Sequence, residues 1–196
     1  MAVHSPVSPP RSKADEPRRR RFTLEEYHRL IESGILGPED RVELIEGEIF
    51  EMAPIGSPHA ACVHRLQALL VDACGMDRVR NQSPIELGDS EPEPDLVVVV
   101  GREDYYEVRH PGADDVQLVL EVSSTSLRYD RELKLPLYAR HGVPEVWIVD
   151  LAARRIEMHR EPAAAGYRSS RRHAPGDEIS PLALPELRLR VDQILG

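Results

Sequence analysis

The sequence predicts an α/β (α+β) domain, a mixed β-sheet with helices packed against it, on three observations. The runs Pro94 to Val100 and Val116 to Val122 are short, β-branched and apolar, and are bounded by turn formers, as strands buried on both faces are. The stretch from Ser57 to Gly75 places Val63, Leu66, Leu69, Leu70 and Ala73 at helical spacing. A further strand, Glu145 to Asp150, follows a helical stretch after Glu121, and this order of elements makes one mixed sheet with helices on it.

In chain order, residues 1–21 are rich in Pro, Ser and Arg and poor in large apolar side chains, which predicts a disordered basic tail ahead of a single domain over 22–196. Thr23 with Glu26 forms a capping box for a first helix that Gly34 stops. Residues 41–52 read as two strands around a Glu46-Gly47 turn. A two-residue turn sets Ile45 opposite Glu48 and Glu43 opposite Phe50, so Glu43 and Glu48 share a face that needs a cation, a site or open solvent. Ser57 is the expected N-cap of the long helix, with Pro58 at its first position and His59 in its first turn. Residues 78–81 and 83–87 read as short strands split around Pro84, and 101–115 as a turn, a short helix and a loop. Arg154–Arg160 and Tyr167–His173 read as an antiparallel hairpin, and the segment Leu182–Leu195 alternates as an edge strand before ending in a short turn.

Composition excludes several classes. Hydrophobic residues at 41% and charged residues at 30% are ordinary for a globular chain. No apolar run approaches the roughly 18–20 residues of a membrane span, and no secretory signal opens the sequence, so a cytoplasmic location without membrane contact is expected. Cys62 and Cys74 fall in one helix about 18 Å apart, too far for a disulfide, and are expected to be reduced. Residues 1–21 carry +4 and the remainder −13, so any reading that involves DNA has to explain an acidic body.

The chemistry centres on three side chains. Asp95 stands at the mouth of one buried strand and Glu121 inside the next, where an unpaired ionised carboxylate is costly. Lys134 lies thirteen residues on in a helical stretch, with Tyr138 at i+4 and His141 at i+7 on the same face. Two hard oxygen donors suit Mg²⁺ or Mn²⁺, whereas zinc would want closely spaced His or Cys. Such an ion lowers the pKa of a water and neutralises phosphate charge, and a nearby lysine stabilises an anionic transition state.

The ordered series Glu43–Glu48, Pro58-His59, Pro94-Asp95, Leu120–Ser123, Asp130–Ala139 and Gly142–Asp150 closely resembles the Uma2 family, restriction-endonuclease-like proteins of the PD-(D/E)XK class, over residues 22–195. The resemblance implies the restriction-endonuclease-like core, with an N-terminal helix and hairpin and a C-terminal antiparallel hairpin. It also implies an active site of Asp95 and Glu121 holding Mg²⁺, with Glu43, Glu48 and His59 lining the same cleft. Position 123 is serine, so the lysine usually two residues after the acid is replaced by Lys134 from the next helix. Pro136 departs from a regular helix at that point, so the helix either starts later or bends there.

The resulting expectation is a Mg²⁺-dependent endonuclease that hydrolyses phosphodiester bonds in DNA and acts as a homodimer. The rival from another class is a catalytically inactive scaffold of the same fold that binds a partner protein or itself. A small-molecule phosphodiesterase is a third reading.

Overall fold

The computed structural model describes residues 19–196. The expected tail lies outside the described residues up to position 18. At its end, Arg20 bonds Glu26, and Arg21 donates to the Glu46 carbonyl oxygen at 2.8 Å.

Helix α1 (Leu24–Glu32) begins at Thr23, whose hydroxyl and Glu26 close the expected capping box. The hairpin β1 (Val42–Ile45) and β2 (Glu48–Glu51) has the predicted register, with Glu46 and Gly47 both at positive φ (49° and 76°) as a type I′ turn requires. Helix α2 (Ser57–Cys74) is capped by Gly56, not Ser57. Ser57 and Pro58 fill the first turn instead, because the prolyl ring tolerates either place where no intrahelical N–H is needed. Its buried stripe is Cys62, Val63, Leu66 and Leu70, while Ala73 is exposed.

Strands β3 (Val79–Asn81), β4 (Leu96–Val99), β5 (Val116–Ser123), β6 (Glu145–Asp150), β7 (Arg155–Ala163) and β8 (Gly166–His173) form a six-stranded sheet in that spatial order. Only β5 and β6 run parallel. A parallel pair needs a crossover, here α3 (Leu127–Tyr129), a π turn (Asp130–Lys134) and α4 (Leu135–Arg140). Residues 83–87 make only single bridges, Glu86 to Gly112 and Leu87 to Ser90, because Pro84 cannot donate to a ladder. Toward the C-terminus, β9 (Glu178–Ile179) pairs β10 (Leu189–Arg190), so the expected edge strand is reduced to two residues, and α5 (Val191–Leu195) is a helix in place of the short turn expected at its end. Val191, Ile194 and Leu195 are buried, so the apolar residues there serve helical packing.

Strand alternation divides the core into two layers. Leu118, Leu120 and Val122 of β5 face α2 and α5, together with Leu96, Val98, Trp147 and Val149. Val119 faces α4, together with Val97, Val99, Val146, Ile148, Leu137 and Tyr138. Glu121 and Ser123 share the parity of Val119 and therefore project toward the crossover.

The crossover resolves the problem set by Pro136. The Leu135 N–H bonds the carbonyl oxygen of Asp130, five residues back, and Pro136 sits in the first turn of α4. A proline ring would clash with the carbonyl four residues earlier in a regular helix, and the wider π turn removes that conflict. The helix neither starts late nor breaks; it takes in one extra residue just before the proline.

Candidate active site

The β4–β5 register pairs Leu96 with Leu120, and one step outward Asp95 stands across from Glu121. Asp95 is held from two sides: its Oδ2 accepts the Val122 N–H at 2.7 Å, and its Oδ1 lies 3.0 Å from His59 Nε2. The buried Nδ1 of His59 has no hydrogen-bond partner among the described residues. Glu121 is 3% exposed, and its Oε1 accepts from Tyr138 Oη at 2.6 Å and from Lys134 Nζ at 2.8 Å. Its Oε2 receives no hydrogen bond among the described residues.

Lys134 closes the constellation. Besides Glu121, its ammonium lies 3.3 Å from Glu43 Oε2 and donates to the Glu93 carbonyl oxygen at 3.3 Å. Glu43 Oε2 also accepts the Glu93 N–H at 2.9 Å, so β1 is tied to the segment leading into β4. Burial alone would push Lys134 down, but Glu121 and then Glu43 outweigh it and hold the ammonium well above its usual range. Burial pushes Glu121 up to about 8, against the opposing pull of Lys134 and with Asp130 and Asp95 adding to the rise. The Glu93 carboxyl is likewise raised, mainly by burial.

Asp130, on the π turn, is a further buried acid. Its Oδ2 accepts from Ser123 Oγ at 2.5 Å and from Ser126 Oγ at 2.8 Å, and burial raises its carboxyl above the usual range despite Lys134 and the two hydroxyls. Ser123 thus spends its hydroxyl on the crossover instead of reaching the acids.

These groups line a cleft of about 300 Å³, walled on the other side by Phe50, Met52, Pro54, Ile55 and Tyr129. Among the described residues, Glu43, Glu51, Glu93, Asp95, Glu121 and Asp130 face it against two fixed cations, Arg41 and Lys134. That excess of hard oxygen donors fits a divalent cation. No cluster of three or more His, Cys, Asp or Glu side chains is preset for a metal among the described residues, so Asp95 and Glu121 would hold such an ion with waters or substrate oxygens completing its shell.

Five of the six residues singled out from the sequence come together: Asp95, Glu121, Lys134, His59 and Glu43 all line this cleft. Glu48 does not. It shares a face with Glu43, but it lies at the turn end of the hairpin, beside Arg19 at 4.0 Å and Arg21 at 3.9 Å, where the arriving chain supplies the cations. The sequence reading placed Tyr138 on the Lys134 face without a role, and missed the contributions of Asp130 and Glu93. Tyr138 carried a signal, its i+4 spacing from Lys134, and Asp130 opens the same motif. The Glu93 carbonyl, a backbone group, left no trace in the sequence.

A mixed sheet whose adjacent central strands bring two acids to one cleft, completed by a lysine from the crossover, is a restriction-endonuclease-like core. The chain belongs to the Uma2 family, described as "Putative restriction endonuclease", which it matches over residues 24–192. A crystal structure titled as that of "a putative nuclease belonging to DUF820", from Anabaena variabilis, is similar in fold, with a TM-score of 0.70 and 17% identity over 89% of this chain and 97% of that one. No curated protein matches the chain.

Proposed function

We propose that the protein is a Mg²⁺- or Mn²⁺-dependent endonuclease acting on DNA, with Asp95 and Glu121 as metal ligands, Lys134 as the positioning cation, and His59 and Glu43 as auxiliaries. The observation that carries this reading is the convergence of two strand-borne acids and a buried lysine on a cleft with surplus carboxylate. When bound, the divalent ion would supply charge neutralisation at the phosphate and a water of lowered pKa. The chain's own residues do the rest. His59 and the Val122 N–H fix Asp95, while Tyr138 and Lys134 hold Glu121 by one oxygen and leave the other for a ligand. The Lys134 charge favours the extra negative charge that develops when water adds to phosphorus. The new bond joins the water oxygen to phosphorus, the bond from phosphorus to the leaving sugar oxygen breaks, and the water's proton ends on that leaving oxygen. Two free cysteines, Cys62 buried and Cys74 partly so, support action in a reducing compartment such as the cytoplasm. No helix among the described residues is long and apolar enough to cross a membrane.

One observation favours the inactive-scaffold reading: the Lys134 ammonium is buried and already engaged by three oxygens. The two readings separate in a cleavage assay on DNA with Mg²⁺ or Mn²⁺. The nuclease reading expects cleavage that a chelator abolishes and that Asp95→Ala or Glu121→Ala lowers at least about 100-fold. Equal rates in wild type and both variants, or none in wild type, would leave the scaffold.

A further inference from the structure

The acidic body poses a question for any DNA substrate, and the fold answers it by segregating charge. Residues 151–173 hold Arg154, Arg155, Arg160, Arg168, Arg171 and Arg172 against Glu157 and Glu161, a local +4 in a chain of −9. Those residues are the β7–β8 hairpin. Because β6 runs parallel to β5 and its neighbours alternate, the start of β7 and the end of β8 lie at the sheet end where Glu121 opens into the cleft. Ser123 pairs with Asp150 there, so the step from the cleft to the hairpin is one strand wide.

On that corner three guanidiniums surround two buried carboxylates. Arg131, next to Asp130 on the π turn, grips Glu157 with Nε at 3.0 Å and Nη2 at 2.7 Å. Arg155 reaches Asp150 at 3.1 Å and Glu157 at 3.4 Å. Arg172 touches Glu157 through Nε alone, at 3.1 Å, and its side chain is 69% exposed. Neutralising Asp150 and Glu157 takes two of the three charges. The third remains, with the terminal nitrogens of Arg172 carrying no partner among the described residues. His159, 4.0 Å from Glu157, has its imidazole lowered by burial and adds no charge near neutral pH.

Resting on the nuclease reading above, we infer that the ridge of Arg131, Arg155 and Arg172 is a track for the phosphodiester backbone of the nucleic-acid strand being cut. Three strand spacings of roughly 4.8 Å separate β5 from β8, so Arg172 stands about 14 Å from the acids, about two nucleotides along an extended strand. Asp150 and Glu157 set the guanidiniums in place beforehand, which lowers the ordering cost of contact, and the remaining N–H groups match phosphate oxygens. Contacts of this kind position the strand without reading its sequence.

The test measures binding of a fluorescent DNA oligonucleotide by the full chain in a chelator, where nothing is cut, across a salt titration. Hydrolysis of bis(p-nitrophenyl) phosphate with Mn²⁺, a diester too small to span the ridge, is measured alongside. Arg172→Gln is expected to weaken DNA binding about 3- to 10-fold at low salt and to reduce the salt slope by about 0.7–0.9, one phosphate contact. Arg172→Lys should keep most of the slope. The charge-matched control Arg29→Gln, on α1, should change neither quantity, and ester hydrolysis should be unaltered in all three, which also reports folding. Unchanged affinity and slope in Arg172→Gln, with ester hydrolysis intact, overturn the ridge and leave the nuclease reading standing, as does an equal loss in Arg29→Gln. A wild type that neither hydrolyses the ester nor binds DNA overturns both.

Discussion

Two buried glutamates on neighbouring strands, Glu145 of β6 and Glu121 of β5, show how one residue type serves opposite ends. Glu145 is fully buried and saturated: Oε1 accepts from Trp147 Nε1 and Arg160 Nε, both at 2.8 Å, and Oε2 accepts the Leu182 N–H at 2.6 Å. It anchors the C-terminal segment to the sheet and has nothing left to offer a ligand. Glu121 shares its single cation with Glu43, crowds against Asp95 and Asp130, and keeps Oε2 without a donor. Burial is the same in both. What differs is whether the fold completes the carboxylate, and an incomplete one is where a ligand gains most.

The contrast can be broken by matched substitutions. Glu145→Ala should cost about 3–5 kcal/mol in denaturant unfolding, since it strands the Arg160 guanidinium, and should leave the cleavage rate per folded molecule unchanged. Glu121→Gln, measured without metal, should shift stability by no more than about 1 kcal/mol because it relieves acid crowding, yet abolish cleavage. If Glu121→Gln destabilises as much as Glu145→Ala, the distinction fails. Lys134→Ala leaves Glu43 and Glu121 facing each other and should lose about 3 kcal/mol, part of which added Mn²⁺ restores in a melting experiment. Tyr138→Phe removes one donor to the Glu121 carboxyl and should cost about 1 kcal/mol. Mn²⁺ at ten times its Kd should stabilise wild type by about 1.4 kcal/mol and leave the melting temperature of Asp95→Ala unmoved.

The smallest effect belongs to a third buried glutamate, Glu157. Burial alone would raise its carboxyl, but Arg131, Arg155 and Arg172 outweigh that and hold it below the ordinary range. A depressed folded-state pKa gives stability that is present above the unfolded value, near 4.5, and lost as pH falls through the folded one. Glu157→Gln should therefore flatten the acid limb of the stability profile, read by urea unfolding at stepped pH.

Much of this was legible in the sequence where one residue's environment is set by its own strand. The all-apolar β4 and β5 announced strands covered on both faces, and an acid within such a run was anomalous before any fold was known. Glu43 followed from counting across a two-residue turn. The same count put Glu48 on that face correctly, but the cleft position that the family resemblance implied for it does not follow, because register fixes the face and not which end of the hairpin meets the rest of the chain. The N-cap slipped from Ser57 to Gly56 because Ser-Pro fits the first turn either way. The C-terminal helix was hidden because five residues are too few for periodicity to tell a helix from a strand. Partners distant in sequence, such as Arg131 with Glu157, have no local signature at all.

The π turn ties the position of Lys134 to a count of residues rather than to the outline of the helix. Deleting any one residue between Asp130 and Lys134 would remove the π turn, press the Pro136 ring against the carbonyl four residues back, and swing α4 by about 100° relative to α3. The ammonium and the Tyr138 hydroxyl could then no longer both meet Glu121 while Asp130 kept its serines. In this chain the extra residue before the proline and the assembled cleft stand or fall together.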